Sequence, residues 1–258
     1  MTVNKIKIGI IGGSGIDDPR ILKNTKEISV KTPYGKTSSK LITGKIKNQE
    51  VVVLARHGKD HSIMPTKVPY RANLWALNKI GCSHILATTA CGSLREKIKP
   101  RELIFLDQFI DFTKHRNLTF HEDKVVHTAM SDPFCLELKK LLIKTAKELK
   151  IKYHSKGTMV TIEGPRFSTR AESHMFRKLG ADTINMSTVP EVILARELGI
   201  CYASIAMATD YDSWHESEEP VTWEMILNVM KGNADNVKEL VLQVIPKIDF
   251  NDCRCRDK

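Results

Sequence analysis

The chain has 258 residues, enough for one large domain or two modest ones. Apolar residues make up 41% and charged residues 27%, a globular composition that excludes disordered and fibrous proteins. No apolar run approaches the roughly 18 residues of a membrane span, and no signal-peptide core follows the first residues. We therefore predict a soluble, cytoplasmic protein with no membrane partner.

The formal charge of +10 would suit either a nucleic acid or a small anionic ligand. Basic residues are spread along the chain in short groups that also hold acidic residues, as around Lys139 and Lys140. Such mixed groups are typical of solvated helix faces and lack the interleaved aromatic residues of a nucleic-acid surface. We predict no nucleic-acid partner, and solvated helix faces account for most of this charge.

The order of the predicted elements indicates an α/β protein. A helical pattern covers 134–150, with one largely apolar face. Short apolar runs rich in β-branched residues predict buried strands at 6–11, 50–54, 84–88, 102–106, 157–162, 182–186 and 201–208. Without a long linker or a repeat, one domain over 1–248 is expected, followed by a short charged tail over 249–258.

Two capping-box spacings mark helix starts, at Thr169 with Glu172 and at Thr188 with Glu191. The second places Ser187 where a strand gives way to a helix. Backbone N–H groups at such a junction can bind an anion, and α/β sheets bind ligands at the carboxyl ends of their strands.

Three predicted strand ends carry donors for an anion. The first strand enters a glycine-rich turn that contains Ser14, the second ends at Arg56 and His57, and the third leads into 88–93 with its threonines and glycine. Each has a structural alternative: a plain tight turn, a structural arginine beside a surface histidine, or an ordinary loop. Their shared chemistry favours an anion site.

Two carboxylates, Asp210 and Asp212, follow the very apolar run 204–208. A partly desolvated carboxyl group there could protonate a leaving group. The segment 161–168 ends another strand and offers Phe167 for stacking on a planar ring. The alternatives are a metal site, a glycosidase or a solvated loop for the carboxylates, and a structural turn with a Glu163–Arg166 pair for the segment.

The six cysteines do not predict a metal site. The tail pair Cys253 and Cys255 is too closely spaced for the usual zinc knuckle, and no second pair accompanies it in the sequence. Cys91 is expected to be a small residue packed beside a ligand rather than a nucleophile. A chain without an export signal is expected to keep its thiols reduced.

Taken together, the segments 9–15, 55–58, 88–93, 158–168 and 208–212 resemble the purine nucleoside phosphorylase family, in particular its members that cleave 5′-methylthioadenosine. The resemblance covers roughly residues 5–248. It implies a single α/β domain around a mixed, partly barrel-like sheet, assembled as a trimer or hexamer. It also implies phosphorolysis of methylthioadenosine, with inorganic phosphate as co-substrate and no cofactor.

The resemblance assigns roles to individual residues. Asp210 would assist departure of adenine at N7, and Asp212 would face the 6-amino edge, which favours adenine over 6-oxo purines. Phe167 and Ser168 would line the base, and Met186 the ribose. The 5′ pocket would contain Trp223, Leu227 and His127 of a neighbouring subunit. Phosphate would be held by Ser14, Arg56, His57, Thr89, Ala90 and Ser187.

Two alternative activities, and the question of disulfide bonds, stay open at this point. A broad-specificity purine nucleoside phosphorylase would accept inosine as readily, and a nucleosidase would use water in place of phosphate. Relatives from thermophilic archaea carry Cys-x-Cys tails, and cysteines like Cys135 and Cys201 can form disulfides there, so disulfide bonding is one expectation from the resemblance.

Overall fold

The computed structural model describes residues 6–12, 21–216, 222–249, 253 and 255. Within these residues, eleven strands form one mixed sheet. In chain order they are β1 (Lys7–Gly12), β2 (Lys23–Ile28), β3 (Leu41–Ile46), β4 (Gln49–Ala55), β5 (His84–Ser93), β6 (Leu103–Phe105), β7 (Gln108–Phe112), β8 (Tyr153–His154), β9 (Thr158–Ile162), β10 (Thr183–Asn185) and β11 (Cys201–Asp210).

Five α-helices flank this sheet in the described part of the chain, and the predicted fold class is confirmed. None of these helices is long and apolar enough to cross a membrane. The helices are α1 (Tyr70–Lys79), α2 (Leu136–Glu148), α3 (Arg170–Lys178), α4 (Thr188–Glu197) and α5 (Trp223–Val244).

The sheet branches at its longest strands. The main path runs in the order β2-β3-β4-β1-β5-β10-β9-β7, while β11 pairs with β5 and β6, and β6 pairs with β8. β5 is parallel to β1 and β11 but antiparallel to β10. Because β1, β4, β5 and β11 are mutually parallel neighbours, their carboxyl ends meet at one edge of the sheet.

The central strands are buried on both faces, which explains their uninterrupted apolar sequences. In β1, Ile8 and Ile10 join the apolar cluster that includes α2 and α5. Ile11 points to the opposite face and joins the cluster that includes α1 and α4. All ten residues of β11 are buried, including Asp210 at its end. The central strands therefore form a buried layer, and the carboxylate of Asp210 lies at its edge, where β11 ends.

Every strand predicted from an apolar run is present, but four strands were missed. β2 is exposed and lysine-rich, β3 and β7 have mixed patterns, and β8 has two residues. The prediction that the third strand ends near Thr88 was wrong. β5 continues to Ser93, so Thr89 and Ala90 lie within a strand rather than in a loop. Both residues pair with β11.

One of the two predicted capping boxes is present. At the start of α3, the side chain of Thr169 accepts from the backbone N–H of Glu172, and the side chain of Glu172 accepts from the backbone N–H of Thr169. The prediction for Thr188 was wrong because Ser187 is the N-cap of α4 without a side-chain cap, and Glu191 is engaged elsewhere. Cys255, which lies in the predicted tail, is buried in the cluster with α2 and α5.

Replacing Thr169 with Ala should lower the free energy of unfolding by about 1 kcal/mol, because the N–H of Glu172 loses its side-chain acceptor. Thr169→Ser, which keeps the hydroxyl, is the matched control and should lie much closer to the wild type. Urea unfolding of the three proteins measures the difference. Equal stability of the Ala and Ser variants would contradict the role of the cap.

Candidate active site

A cavity lies at the edge where the parallel strands end. Its walls come from β5, β10, β11 and the segments that follow β4, β9 and β11. The predicted site residues among its lining are Arg56, His57, Thr89, Ala90, Phe167, Ser168, Met186, Asp210 and Asp212. Nine side chains or backbone positions singled out from the sequence therefore surround one space.

Arg56 follows β4 and is buried, with 3% of its surface exposed. Its Nε and Nη2 donate to the two carboxylate oxygens of Glu191 at 2.8 Å each, and its Nη1 donates to the carbonyl of Thr88 at 2.7 Å. Tyr202 donates its hydroxyl to Glu191 at 2.7 Å. The forked guanidinium face predicted to bind an oxyanion is thus occupied by a protein carboxylate.

The ion pair fixes both the charge and the position of Arg56. Burial alone would lower the pKa of Arg56, but the charge and hydrogen bonds of Glu191 raise it above its ordinary value. A guanidinium has five N–H donors, and three are used in these contacts. Among the described residues, two donors are therefore left for a ligand in the cavity.

His57 is a neutral group rather than a cation. Burial, followed by the charge of Arg56, lowers the pKa of His57 to about 4. Its Nδ1 lies 2.9 Å from the carbonyl oxygen of Ile63, which can only accept, so this nitrogen carries the proton. Nε2 is then an acceptor, suited to the P–OH group of a protonated phosphate rather than to its oxyanions.

A network of short polar side chains lies next to Arg56. The hydroxyls of Thr89 and Ser187 are 2.9 Å apart, and both residues are buried. Asn185 donates from Nδ2 to the hydroxyls of Thr89 at 3.0 Å and Thr188 at 2.7 Å. Because Asn185 supplies a donor to Thr89, the Thr89 hydroxyl can donate its own proton, and it does so to the carbonyl of Ala90 at 3.1 Å.

Asp210 and Asp212 lie at the end of β11 and are each 7% exposed. Asp210 accepts from the hydroxyl of Thr209 at 2.6 Å and from the backbone N–H of Asp212 at 2.8 Å. Ser168 donates its hydroxyl to the carboxylate of Asp212, at 2.6 and 2.7 Å from the two oxygens. Burial raises the pKa of Asp212 despite this contact.

Small residues make room for these carboxylates. A Cβ atom at Gly92 would lie 3.0 Å from Oδ1 of Asp210 and 3.1 Å from Cβ of Asp212, closer than ordinary contact. Cys91, next to it, is 3% exposed, and burial raises the pKa of its thiol well above the ordinary value. The thiol is therefore protonated, in agreement with its predicted packing role.

The segment after β9 is held by contacts that the sequence did not indicate. The Glu163–Arg166 pair that the structural alternative required is absent from these contacts: Glu163 accepts from Arg116, and Arg166 forms a two-contact pair with Glu172. The Arg116 side chain is 2% exposed and also donates to the carbonyl of Glu163 at 2.8 Å. This anchoring leaves the ring of Phe167, 40% exposed, at the cavity wall.

Five predicted residues are not among the lining of the cavity, and one of them, Ser187, contacts the lining residue Thr89 through its hydroxyl. Ser14 and the side chain of Trp223 lie outside the described residues. Leu227 is half-buried on α5, whose Ile226 and Met230 line the cavity instead. His127 is exposed and distant in sequence from every lining segment. Their roles stay predictions.

Sequence reasoning missed two residues that organise the site. Glu191 was interpreted as a capping residue, although a carboxylate in the otherwise apolar stretch 189–195 is a signal for a buried partner. Asn185 stood inside a predicted buried strand, where an amide side chain requires hydrogen-bond partners. Both signals identify a buried polar residue without identifying which residue it contacts.

The model of the phosphorylase superfamily matches residues 7–246 of this chain. The chain belongs to the phosphorylase superfamily. Within the superfamily, it is 57% identical to the S-methyl-5'-thioadenosine phosphorylase of Danio rerio over 96% of this chain and 91% of that protein. It is 51% identical to the enzyme of the same name from Pyrococcus horikoshii, over 97% and 96% of the two chains.

Solved structures of this superfamily match the fold closely. The methylthioadenosine phosphorylase of Schistosoma mansoni in complex with adenine aligns with a TM-score of 0.91 and 44% identity, over 95% of this chain and 92% of that chain. A variant of the adenosine/methylthioadenosine phosphorylase from the same organism, in complex with methylthioadenosine, aligns with a TM-score of 0.90 and 42% identity over the same shares.

Glu191→Gln should lower the free energy of unfolding by about 3 kcal/mol, because it leaves the buried charge of Arg56 uncompensated. The matched control is Glu137→Gln, which removes an exposed partner of Lys140 and should cost less than about 1 kcal/mol. Urea unfolding checks both values. If Glu191→Gln lowered the free energy of unfolding as little as the control does, the Arg56–Glu191 pair would not be needed for stability.

Stability should rise with pH as the medium passes from about 4 to 6.5, the folded and ordinary pKa values of His57. In that window the unfolded chain binds a proton at His57 and the folded chain does not, so acidification favours unfolding. Urea unfolding at several pH values should show a smaller pH dependence in His57→Asn than in the wild type. Identical slopes would indicate that His57 is not neutral in the folded protein.

Proposed function

We propose that this chain is a cytoplasmic enzyme that catalyses the phosphorolysis of 5′-methylthioadenosine to adenine and 5-methylthioribose 1-phosphate. An oxygen of phosphate forms a bond to the anomeric carbon as the bond from that carbon to N9 breaks. The electron pair of the broken bond goes to the purine, which takes up a proton. The observation that carries the proposal is one cavity lined by Arg56 and Thr89 as well as by the buried carboxylates Asp210 and Asp212.

Phosphate is assigned to the Arg56 side of the cavity. The two remaining guanidinium donors and the hydroxyls of Thr89 and Ser187 suit its oxyanions. Neutral His57 suits the P–OH group through Nε2. We assign the backbone at Ala90 and the hydroxyl of Ser14 to the same subsite on the family resemblance. Because Glu191 holds Arg56 rigidly, the charge is positioned before phosphate arrives.

The purine is assigned to the side formed by Asp210 and Asp212. Asp210 in its protonated form donates to N7 and makes adenine a better leaving group as the oxocarbenium-like state develops. Asp212 accepts from the 6-amino group, and its contact with Ser168 fixes the orientation of the carboxylate. Phe167 stacks on the base and Met186 lies against the ribose. A 6-oxo purine would place an acceptor against a carboxylate and bind poorly.

The 5′ methylthio group is assigned to the apolar end of the cavity. Ile226, Met230 and Met207 supply apolar surface there, with Trp223 and Leu227 on the same helix as the first two. His127 comes from a neighbouring subunit in a trimer or hexamer. Val125 and Val126, beside it, are 83% and 42% exposed, an apolar surface suited to burial between subunits.

The proposal is tested by adenine release from methylthioadenosine, with and without phosphate, and with inosine and adenosine as competing substrates. Release that depends on phosphate, with little cleavage of inosine, is expected. Equal activity on inosine would favour a broad-specificity purine nucleoside phosphorylase and contradict the carboxylate argument. Adenine release that is indifferent to phosphate would identify a nucleosidase and leave the donors around Arg56 without a substrate.

Asp210→Asn should lower kcat at least about 100-fold while changing KM for phosphate only slightly, because the lost proton transfer matters in the transition state. Asp111→Asn, on β7 and away from the cavity lining, is the matched control and should keep wild-type kinetics. Initial rates over a grid of methylthioadenosine and phosphate concentrations separate the two parameters. A defect mainly in KM for phosphate would assign Asp210 to the wrong subsite.

A further inference from the structure

Four cysteines from three distant parts of the sequence meet at the end of β11 opposite to the cavity. Cys201 is the first residue of β11, and Cys135 is the N-cap of α2. Cys253 and Cys255 follow α5 and complete the group. The four sulfur atoms all lie within 4.8 Å of one another. We call this group the cysteine cluster.

The spacing of the sulfurs fits a tetrahedron around a single ion. Zinc–sulfur bonds of about 2.3 Å place neighbouring thiolates about 3.8 Å apart. In the cluster, Sγ of Cys253 lies 3.4 Å from Sγ of Cys135 and 3.3 Å from Sγ of Cys255. Cys135 also interacts with Cys201 and Cys255 through its thiol. A disulfide joins each sulfur to one partner, whereas here each sulfur has several sulfur neighbours, as ligands of one ion do.

We propose that Cys135, Cys201, Cys253 and Cys255 bind one Zn²⁺ ion as a tetrahedral, structural site. The four thiols lose their protons to solvent on binding, and the ion with four thiolates carries a net charge of −2. All four positions of the ion are filled by protein, which is typical of a structural rather than a catalytic zinc. The prediction of no metal, made from sequence spacing, lacked the second pair of cysteines that the fold supplies.

The surroundings of the cysteine cluster suit a closed, negatively charged site. Cys135 and Cys201 are fully buried, Cys255 is 7% exposed and Cys253 is half-buried, so three of the four thiols are shielded from water. The backbone N–H of Leu138 donates to Sγ of Cys135 at 3.5 Å, in the first turn of α2. This N–H and the helix N-terminus stabilise a thiolate. The positive charge of Arg196 acts on Cys255 and offsets part of the negative charge.

The position of the cluster indicates a role in stability. Bound zinc would tie the segment after α5 to α2 and to the start of β11, three parts of the chain that share one apolar cluster. β11 is ten residues long, so the cluster lies about 30 Å from Asp210 at its other end. The zinc site is therefore independent of the proposed activity, and the failure of either would leave the other standing.

The test uses the full-length protein, purified without chelators under reducing conditions, with zinc measured by elemental analysis. We expect one zinc per chain in the wild type and none in the double variant Cys253→Ala/Cys255→Ala. The matched control is Cys82→Ala, a buried cysteine outside the cluster, which should keep one zinc. Zn²⁺ should raise the Tm of the metal-free wild type and of the control, but not that of the double variant. All three proteins should keep their kcat at a temperature where they are folded.

A second measurement fixes the ligands. The reduced, metal-free protein is titrated with Co²⁺ in the absence of oxygen, and the absorption of tetrahedral thiolate-bound cobalt should saturate at one equivalent and disappear on addition of zinc. Reduced wild type that binds neither ion would overturn the proposal. Equal zinc content in the double variant and the wild type would overturn it as well. So would disulfides among the cluster cysteines of protein that has been kept reduced throughout, detected by intact mass after alkylation.

Discussion

The buried ion pair between Arg56 and Glu191 is the contact on which one side of the cavity depends. A guanidinium with 3% exposure is tolerated only with a matched partner, because an unpaired charge at this depth costs several kcal/mol. Its contacts reach Glu191 on α4, Thr88 on β5 and, through Glu191, Tyr202 on β11. Four elements must be assembled before the charge is satisfied, so the site forms together with the fold.

The same pair determines the chemistry of its neighbour. A positive charge that cannot be removed, together with burial, keeps His57 neutral, and the carbonyl of Ile63 selects its tautomer. The side of the cavity toward Arg56 therefore combines a fixed cation with an acceptor and hydroxyl donors. For the phosphate that we propose to bind there, such a mixture would distinguish a partly protonated phosphate from a fully ionised sulfate, a distinction that two cations would not make.

The sequence locates the polar residues around the cavity better than it predicts the contacts between them. Apolar runs located all the buried strands, and the polar residues at their ends were found because strand ends in an α/β sheet converge. The exposed strand β2 was missed because lysines on an edge strand resemble a loop. Glu191 and Arg56 are distant in sequence, and a partner of this kind is selected by packing rather than by spacing. The family resemblance drew attention to Cys135 and Cys201, but their proximity to Cys253 and Cys255 was missed for the same reason.

β11 has a consequence for how the protein loses activity on heating. All of its residues are buried, it is paired with β5 along nearly its full length, and β6 covers part of its other edge. Local opening of such a strand requires disruption of the central layer, so its amide hydrogens exchange only when the whole domain opens. The carboxylates at its end therefore share the stability of the entire fold, and displacement of Asp210 coincides with global unfolding rather than preceding it.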